Sequence, residues 1–331
     1  MLYGGPLKYS TPECIGTKKL KWLSYHPSLA KKNKTSRSRS TAAAAATNDH
    51  RQTSKKKHNE APKSSPTTSS SNRTIATDTI KGTDDSGNYY NCHEDLSTVQ
   101  AQHRDEFYQA NALYWSRGGY GGNTDNEAMI GDGGGFEDGA EGLAFLDRCI
   151  LQQPPQHQRT RRFEHAIDLG AGAGRITKLI LLKRYSHVRL IEGDEGWSKR
   201  SRAYLGRKRA SQCRFVHQRL DDLTDQDVRN WGPEPADLMW VQWTLQYLID
   251  VDVVDCLRII SGGLREGSGI LIVKENRPLA RDDRFQMDTP GGENERYDIT
   301  RTDEHHRLLF QRAGLTVTSS EREESKQIRT V

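Results

Sequence analysis

The stretch Phe163 to Lys178, F-E-H-A-I-D-L-G-A-G-A-G-R-I-T-K, constrains this chain more than any other. An apolar run carrying Ala166, Ile167 and Leu169 enters Gly170, Gly172 and Gly174. Arg175, Ile176, Leu179, Ile180 and Leu182 then recur at helical spacing. The pattern predicts a strand, a glycine turn and a helix. Glycine at every second position lets backbone approach a ligand, and the helix start offers unpaired N–H groups and a positive dipole end. A dinucleotide fingerprint would need glycine where Arg175 stands. An acidic residue before the turn, Asp168, and a second, Glu192, closing the next apolar run V-R-L-I-E, fit S-adenosylmethionine (SAM) better. Asp168 can stay near the cationic sulfonium end, and Glu192 can accept hydrogen bonds from both ribose hydroxyls.

The rhythm continues past the turn. Strands are predicted at 188–191, 213–216, 236–242, 269–274 and 315–318, with helices at 196–205, 251–264 and 303–313 between them. Strands alternating with helices give a mainly parallel sheet covered on both faces. Ligands then lie beyond the carboxyl ends of the strands, where Gly170, Glu192, Asp221, Gln242 and Asn276 all fall. The expected fold is α/β, of the class I SAM-dependent methyltransferase type: Rossmann-like, with a mainly parallel seven-stranded sheet. Upstream, Val99, Phe107, Ala110, Leu113 and Tyr114 form one helical pattern. Leu143, Phe145, Leu146, Cys149 and Ile150 form another, ended by Pro154-Pro155, with a glycine-rich segment from Gly118 to Gly142 between. These helices predict an N-terminal lid at about 96–160 over a SAM-binding core at about 161–331.

Only 34% of the 331 residues are hydrophobic and 28% are charged, which is low for a chain packed throughout. Residues 1–81 carry 16 Lys and Arg against four acidic residues, whereas the remainder carries 33 against 40. From Lys31 to about Gly87 large apolar residues are almost absent, so residues 1–95 are expected to be a basic, largely disordered tail, with the first 90 dispensable for catalysis. The aromatics of residues 1–30 show no clear period. The clusters Lys31-Lys32-Asn33-Lys34 and Lys55-Lys56-Lys57 suit a nuclear address or contact with RNA as well as they suit a solvated tail. The acidic body is the poorer choice for nucleic acid. Five scattered cysteines without a C-x-x-C pair argue against a disulfide framework and against a metal site. No apolar run reaches membrane-spanning length. A soluble protein of the cytoplasm or nucleus is expected.

Several blocks resemble the SAM-dependent protein α-N-terminal methyltransferases: D-L-G-A-G-A-G-R-I-T-K at 168–178, A-D-L-M-W-V-Q-W-T-L at 236–245 and L-I-V-K-E-N at 271–276. Phe107-Tyr108, Tyr114-Trp115, Met129-Ile130-Gly131 and T-R-T-D at 300–303 support them. The resemblance covers roughly residues 103–324. It implies methylation of the free α-amine of proteins that begin with a small residue, then Pro-Lys. Asp168, Gly170, Gly172, Arg175, Glu192, Leu220, Asp221 and Gln242 are the implied cofactor shell. Arg175 would pair with the methionine carboxylate, and Leu220 and Asp221 would flank the adenine. Trp243 would lie flat on the substrate proline, leaving Trp240 for the core, and Asn276 would hold the amine.

The chain departs from the family pattern in three places. Tyr247 stands where the family's proton-accepting histidine would be, and a phenol, ordinarily near 10, is the weaker base. The acidic residues that would grip the substrate lysine fall in an unusual loop, 281–298, where Glu295 and Asp298 are the candidates and Asp282 and Asp283 remain open. The chain reaches Val331 about where the family's last, antiparallel strand should run, so that strand is expected as a stub at 327–331 or truncated. Two other readings stand beside the leading one: a class I methyltransferase acting on RNA or a small molecule, and a catalytically weakened SAM-binding module.

Overall fold

The computed structural model describes residues 18–26, 75–117, 134–152, 163–278, 283–291 and 295–324. At its centre is the strand of the glycine turn. In chain order the strands of the main sheet are β1 (Lys18–His26), β4 (His165–Leu169), β5 (His187–Glu192), β6 (Cys213–His217), β7 (Leu238–Gln242), β8 (Ile270–Asn276) and β11 (Leu315–Glu324). They lie in the order β11-β1-β8-β7-β4-β5-β6, and every pairing is parallel. The crossovers include α4 (Arg175–Leu179), α5 (Glu195–Ala210), α6 (Asp225–Asn230), α7 (Asp250–Gly262) and α8 (Asp303–Arg312).

The sheet is apolar on both faces, as parallel sheets covered by helices are. In β8, Ile270 and Ile272 enter one buried cluster while Leu271 and Val273 enter the other. Strand β7 does the same, with Leu238 and Trp240 against Met239 and Val241. That double burial stacks the carboxyl ends of β4, β5, β7 and β8 into one rim.

Strand β1 is the main departure from the expected organisation. It lies between β8 and β11, pairing Leu20 with Leu271 on one side and with Val317 on the other. Leu20, Trp22 and Leu23 are fully buried, the first two in one cluster and Leu23 in the other. Lys21 is 6% exposed and its Nζ donates to Gln152 Oε1 at 2.8 Å. The Trp22 indole N–H donates to Asp303 Oδ1 at 2.7 Å, and its ring packs on His306 and Phe310. Residues 18–26 are therefore an inner strand and not part of a tail. The seventh position is filled from the N-terminal side, and the described sheet contains no antiparallel strand. Residues 327–331 lie outside the described residues, as do the basic clusters at 31–34 and 55–57.

A second, four-stranded sheet corrects the reading again. Strands β2 (Gly82–Asp84), β3 (Tyr89–Tyr90), β9 (Phe285–Asp288) and β10 (Asp298–Thr300) are ordered β10-β9-β2-β3. The supposed loop at 281–298 is thus largely a hairpin, and its partner comes from residues assigned to the tail. Gly82 is glycine for a packing reason: a Cβ there would stand 2.4 Å from the Phe285 ring. Helices α1 (His93–Gln102), α2 (Arg104–Ser116) and α3 (Gly134–Leu151) precede the glycine turn. Helix α3 begins nine residues before Leu143, inside the segment read as glycine-rich loop.

Candidate functional site

Beyond the rim lies a cavity of about 240 Å³, lined by α2, the glycine turn, the ends of β5 and β7, and the segments 218–221 and 243–248. Its floor is the turn itself. Gly170, Gly172 and Gly174 all take positive φ, and a Cβ on Gly170 would meet Thr244 Oγ1 at 2.3 Å. Nothing lies within 4 Å of the Cβ position of Gly172. Only glycine fits a positive φ under such close approach.

The turn's N–H groups are not left open for a ligand. Gly170 and Ala171 both donate to Ile191 O, Gly172 donates to Glu192 Oε2 at 2.7 Å, and α4 is only five residues long. Asp168, 2% exposed, accepts from the Thr177 N–H at 3.0 Å and the Thr177 hydroxyl at 2.6 Å. Its Oδ2 ties α4 to the strand instead of reaching toward a sulfonium. Burial pushes Asp168 up to about 6 and Glu192 up to about 7. The second oxygen of Glu192 accepts from the Asp194 N–H at 2.9 Å. The two carboxylates brace the turn from either side.

Behind the floor, in contact with the lining residues Arg175 and Gln242, is a charged residue the sequence reading did not single out. Asp138 of α3, 5% exposed, is reached by Arg175 Nη1, by Lys274 Nζ at 2.6 Å and by Gln242 Nε2 at 3.0 Å. Burial opposes its ionisation, but Arg175 and Lys274 together hold it below the usual carboxylate range. Lys274 is fully buried and Arg175 is 9% exposed. Arg175, which lines the cavity, is shared between Asp138 and the weaker influence of Asp168, and a ligand carboxylate at the cavity would meet the same guanidinium. Asp138 carried no signal, because the glycines around it hide the helical period.

The residues expected to flank adenine are also internally engaged. Leu220 is 8% exposed and lines the cavity. Asp221 receives both arms of the Arg219 fork, at 3.0 and 2.7 Å.

The wall facing the turn carries the aromatic groups. Trp240 is fully buried, its indole N–H on Gln242 Oε1 at 3.0 Å, whereas Trp243 lines the cavity. Trp243 is the one non-glycine among the described residues with positive φ, at 53°. That strained conformation is held by its neighbours. Trp243 N–H donates to Lys274 O at 3.0 Å, while the N–H groups of Thr244 and Leu245 both donate to Glu275 Oε1 at 2.8 Å. Glu275, 1% exposed, acts like a helix cap for this turn, and burial pushes it up to about 8. The Arg175 guanidinium stacks 4.9 Å from the Trp243 ring centroid. Tyr247 meets Trp115 edge-on at 5.2 Å, and both line the cavity. Asn276 stands apart from the cavity lining and donates to Gln246 Oε1 at 3.0 Å.

The acidic candidates divide. Glu295 is exposed, 3.5 Å from Arg117. Asp298 is 7% exposed, bound to Arg296, and pushed up to about 6 by burial. Asp283 is exposed, and Asp282 lies outside the described residues. A separate trio, His93, Asp250 and His305, has the spacing to hold a metal ion. Arg301 already contacts Asp250 Oδ1 at 2.8 Å, while His305 and His93 meet Oδ2 at 2.6 and 2.9 Å. This is a buried ion network tying α1 and α8 to α7. Among the described residues no helix is long and apolar enough to cross a membrane.

Comparison with known proteins agrees with this geometry. A solved SAM-dependent methyltransferase from Leishmania major superposes with a TM-score of 0.57 at 24% identity, covering 76% of this chain and 92% of that one. The N-terminal Xaa-Pro-Lys N-methyltransferase 1 of Xenopus tropicalis is 27% identical over 241 residues, 70% of this chain and 94% of the relative. The human protein of that name is 29% identical over 181 residues, 55% of this chain and 73% of its own length. The model of the AdoMet-dependent proline di-methyltransferases matches residues 103–327, more than half of the chain. With a class I SAM-dependent methyltransferase fold and a glycine-turn cavity at its strand ends, the chain belongs to that methyltransferase family.

Proposed function

We propose that this protein transfers methyl groups from SAM to the free α-amine of protein N-termini of the Xaa-Pro-Lys type. The observation that carries the substrate reading is Trp243. A large aromatic face is held at positive φ on the cavity wall, next in sequence to Gln242, in a cavity that Trp115 and Tyr247 also line. A flat, rigid surface of that kind suits a proline ring.

The cavity fits the cofactor on its own chemistry. The Arg175 guanidinium on the cavity lining suits the methionine carboxylate, and Gly172 leaves open space above the turn. Glu192 sits at the end of β5, where ribose hydroxyls would lie, and Leu220 and Asp221 lie on the adenine side. When bound, SAM supplies a methyl group made electrophilic by its sulfonium. The chain's part is to bind and orient the amine. Trp243 stacks the proline and fixes the amine's distance from the floor. Tyr247 offers a hydroxyl near the amine, and Asn276, one residue beyond Glu275, supports Gln246 beneath that turn. An α-amine, ordinarily near 7.7–8.0, is partly neutral at pH 7, so desolvation and alignment matter more than a strong base. The lone pair forms the N–C bond as the C–S bond breaks, and the proton leaves to solvent or a nearby acceptor. The basic clusters at 31–34 and 55–57 support a cytoplasmic or nuclear location.

The test is incubation with labelled SAM and a Ser-Pro-Lys peptide, its N-acetylated copy, and bulk RNA. Label on the free peptide alone is expected. Equal labelling of the acetylated copy, or label on RNA only, overturns the reading.

A further inference from the structure

Strands β9 and β10 place two carboxylates side by side, since Asp288 and Asp298 are register partners. Asp298 Oδ2 accepts from Arg296 Nη2 at 3.1 Å. Its other oxygen, Oδ1, is buried and has no hydrogen-bond partner among the described residues. Arg296 is itself only 3% exposed. Its guanidinium sits 5.0 Å from the Tyr114 ring centroid and 5.9 Å from that of Tyr247.

This group adjoins the cavity. Tyr247 lines it, and Asn111, also on the lining, pins β10 in place. The Asn111 side chain accepts at Oδ1 from the Tyr297 N–H at 2.9 Å, while its Nδ2 donates to Tyr247 O at 3.4 Å. A run of aromatic contacts thus leads from the cofactor cavity to an acidic pair. The cation at its end is the protein's own.

The charge balance has a consequence for substrate choice. Burial raises both Asp288 and Asp298, and Arg296 acts against that rise at both. Arg296 offsets the charge of both carboxylates and Arg301 also acts on Asp298, so the pair is partly neutralised from within, and Asp298 Oδ1 still needs a donor. A buried acceptor left without a partner is costly, so an incoming N–H is favoured whether or not it is charged.

We propose that Arg296 is a specificity-determining residue. It partly neutralises the acidic pair beside the amine cleft, so the peptide residue reaching Asp298 is chosen as a hydrogen-bond donor and not chiefly as a positive charge. This rests on the N-terminal peptide reading and sharpens its third position. Lysine is accepted there, but a glutamine amide can supply the same donor to Oδ1. A glutamate brings a second anion and no donor.

The experiment compares kcat/KM for Ser-Pro-Lys, Ser-Pro-Gln and Ser-Pro-Glu peptides, otherwise identical, with N-acetylated controls. The proteins are the wild type, R296Q, R296K and D298N. The wild type is expected to favour Lys over Gln by no more than about fivefold, the margin between charge-assisted and neutral hydrogen bonds. R296Q frees the pair to ionise fully against a substrate lysine and raises that ratio about tenfold or more, through KM. R296K restores the wild-type ratio, and D298N brings it to about one. SAM affinity, measured by calorimetry, stays near wild type in each folded variant. If R296Q does not fold, the wild-type ratio and D298N decide. A wild-type ratio above about a hundredfold, an R296Q ratio equal to wild type, or a D298N ratio equal to wild type overturns the inference and leaves the functional reading standing. If no free-amine peptide is methylated, both fall.

Discussion

The two sides of the cavity are built in opposite ways. The floor, which we propose holds the cofactor, is braced mostly by local contacts: Asp168 binds Thr177 nine residues on, Glu192 binds Gly172, and Asp221 binds Arg219. Its long-range ties include Asp138, which joins α3 to β7, β8 and the turn, and the Asp221 carbonyl, which accepts from Arg104 at 3.2 Å. The side proposed to meet substrate gathers α2 and the 243–247 turn, with the β9–β10 pair behind them, joined through Asn111 and Arg296. It retains tension, with Trp243 at positive φ and Asp298 Oδ1 without a partner. A preformed floor can hold one constant cofactor. A wall assembled from distant segments can change its selectivity by changing a single residue.

The largest expected effect tests whether the scaffold beneath both sides depends on β1. Trp22→Ala removes a fully buried indole and should cost about 3–5 kcal/mol. A chain starting at Leu96 loses β1, β2 and β3 together and should not fold cooperatively. Denaturant melts followed by circular dichroism check both. A shortened chain with full stability would restore the view of residues 1–95 as a dispensable tail.

Next comes the floor's tie to α3. Asp138→Asn keeps the shape but leaves Arg175 and Lys274 buried without their carboxylate, a loss of roughly 3–5 kcal/mol in the free protein. A methionine carboxylate would then supply an anion in place of the lost one. The gap in melting temperature between free and SAM-saturated protein should therefore be wider in the variant than in the wild type. An equal gap would mean that Asp138 and the ligand carboxylate do not share the same cations.

Trp243→Ala tests the division itself. Loss of a desolvated aromatic anchor costs roughly 2 kcal/mol or more, about thirtyfold, and should appear in peptide KM. SAM affinity should fall by no more than about fivefold, the loss of a cation–π contact with Arg175 of about 0.5–1 kcal/mol. A larger loss in SAM affinity than in KM would merge the two sides.

The most gradual effect is a pH dependence. Burial raises Glu275 from its ordinary value to about 8. A raised carboxyl contributes stability that is present below the unfolded value, near 4.3, and lost as pH rises through about 8. Glu275→Gln keeps an acceptor for Thr244 and Leu245 and removes the ionisation. The stability of the wild type relative to this variant should thus fall between pH 5 and 8, by at most about 1.4 kcal/mol per unit. Urea midpoints at the two pH values measure it. Parallel pH profiles would show that Glu275 is ionised throughout.

Much of the floor was legible because its determinants lie close together in the chain. The glycine turn and the strand ends at Glu192 and Gln242 follow from short apolar periods, while the choice of Trp243 over Trp240 as the exposed indole came from the family resemblance. Asp138 was not legible, since glycines dilute the helix that carries it. The β9–β10 hairpin was not legible either, because Pro290-Gly291-Gly292 reads as an open loop until the β2 partner is known. For Asp298, the sequence offers a carboxylate but says nothing of Arg296 taking one of its oxygens.

Strand β1 marks the boundary most plainly. K-K-L-K-W-L-S-Y-H alternates lysines with apolar groups and reads as a fragment of a basic tail. What buries Leu20, Trp22 and Leu23 is a slot between β8 and β11, whose paired residues lie about 250 and 300 positions along the chain. The sequence alone determined the α/β class, the glycine turn and the strands that follow it, because neighbouring residues set backbone preference and hydrophobic period. Which segment fills the sheet's last inner position, which acid balances the buried cations and which cation meets Asp298 were decided only by tertiary structure. Those partners are chosen by burial and charge between segments that local pattern cannot connect.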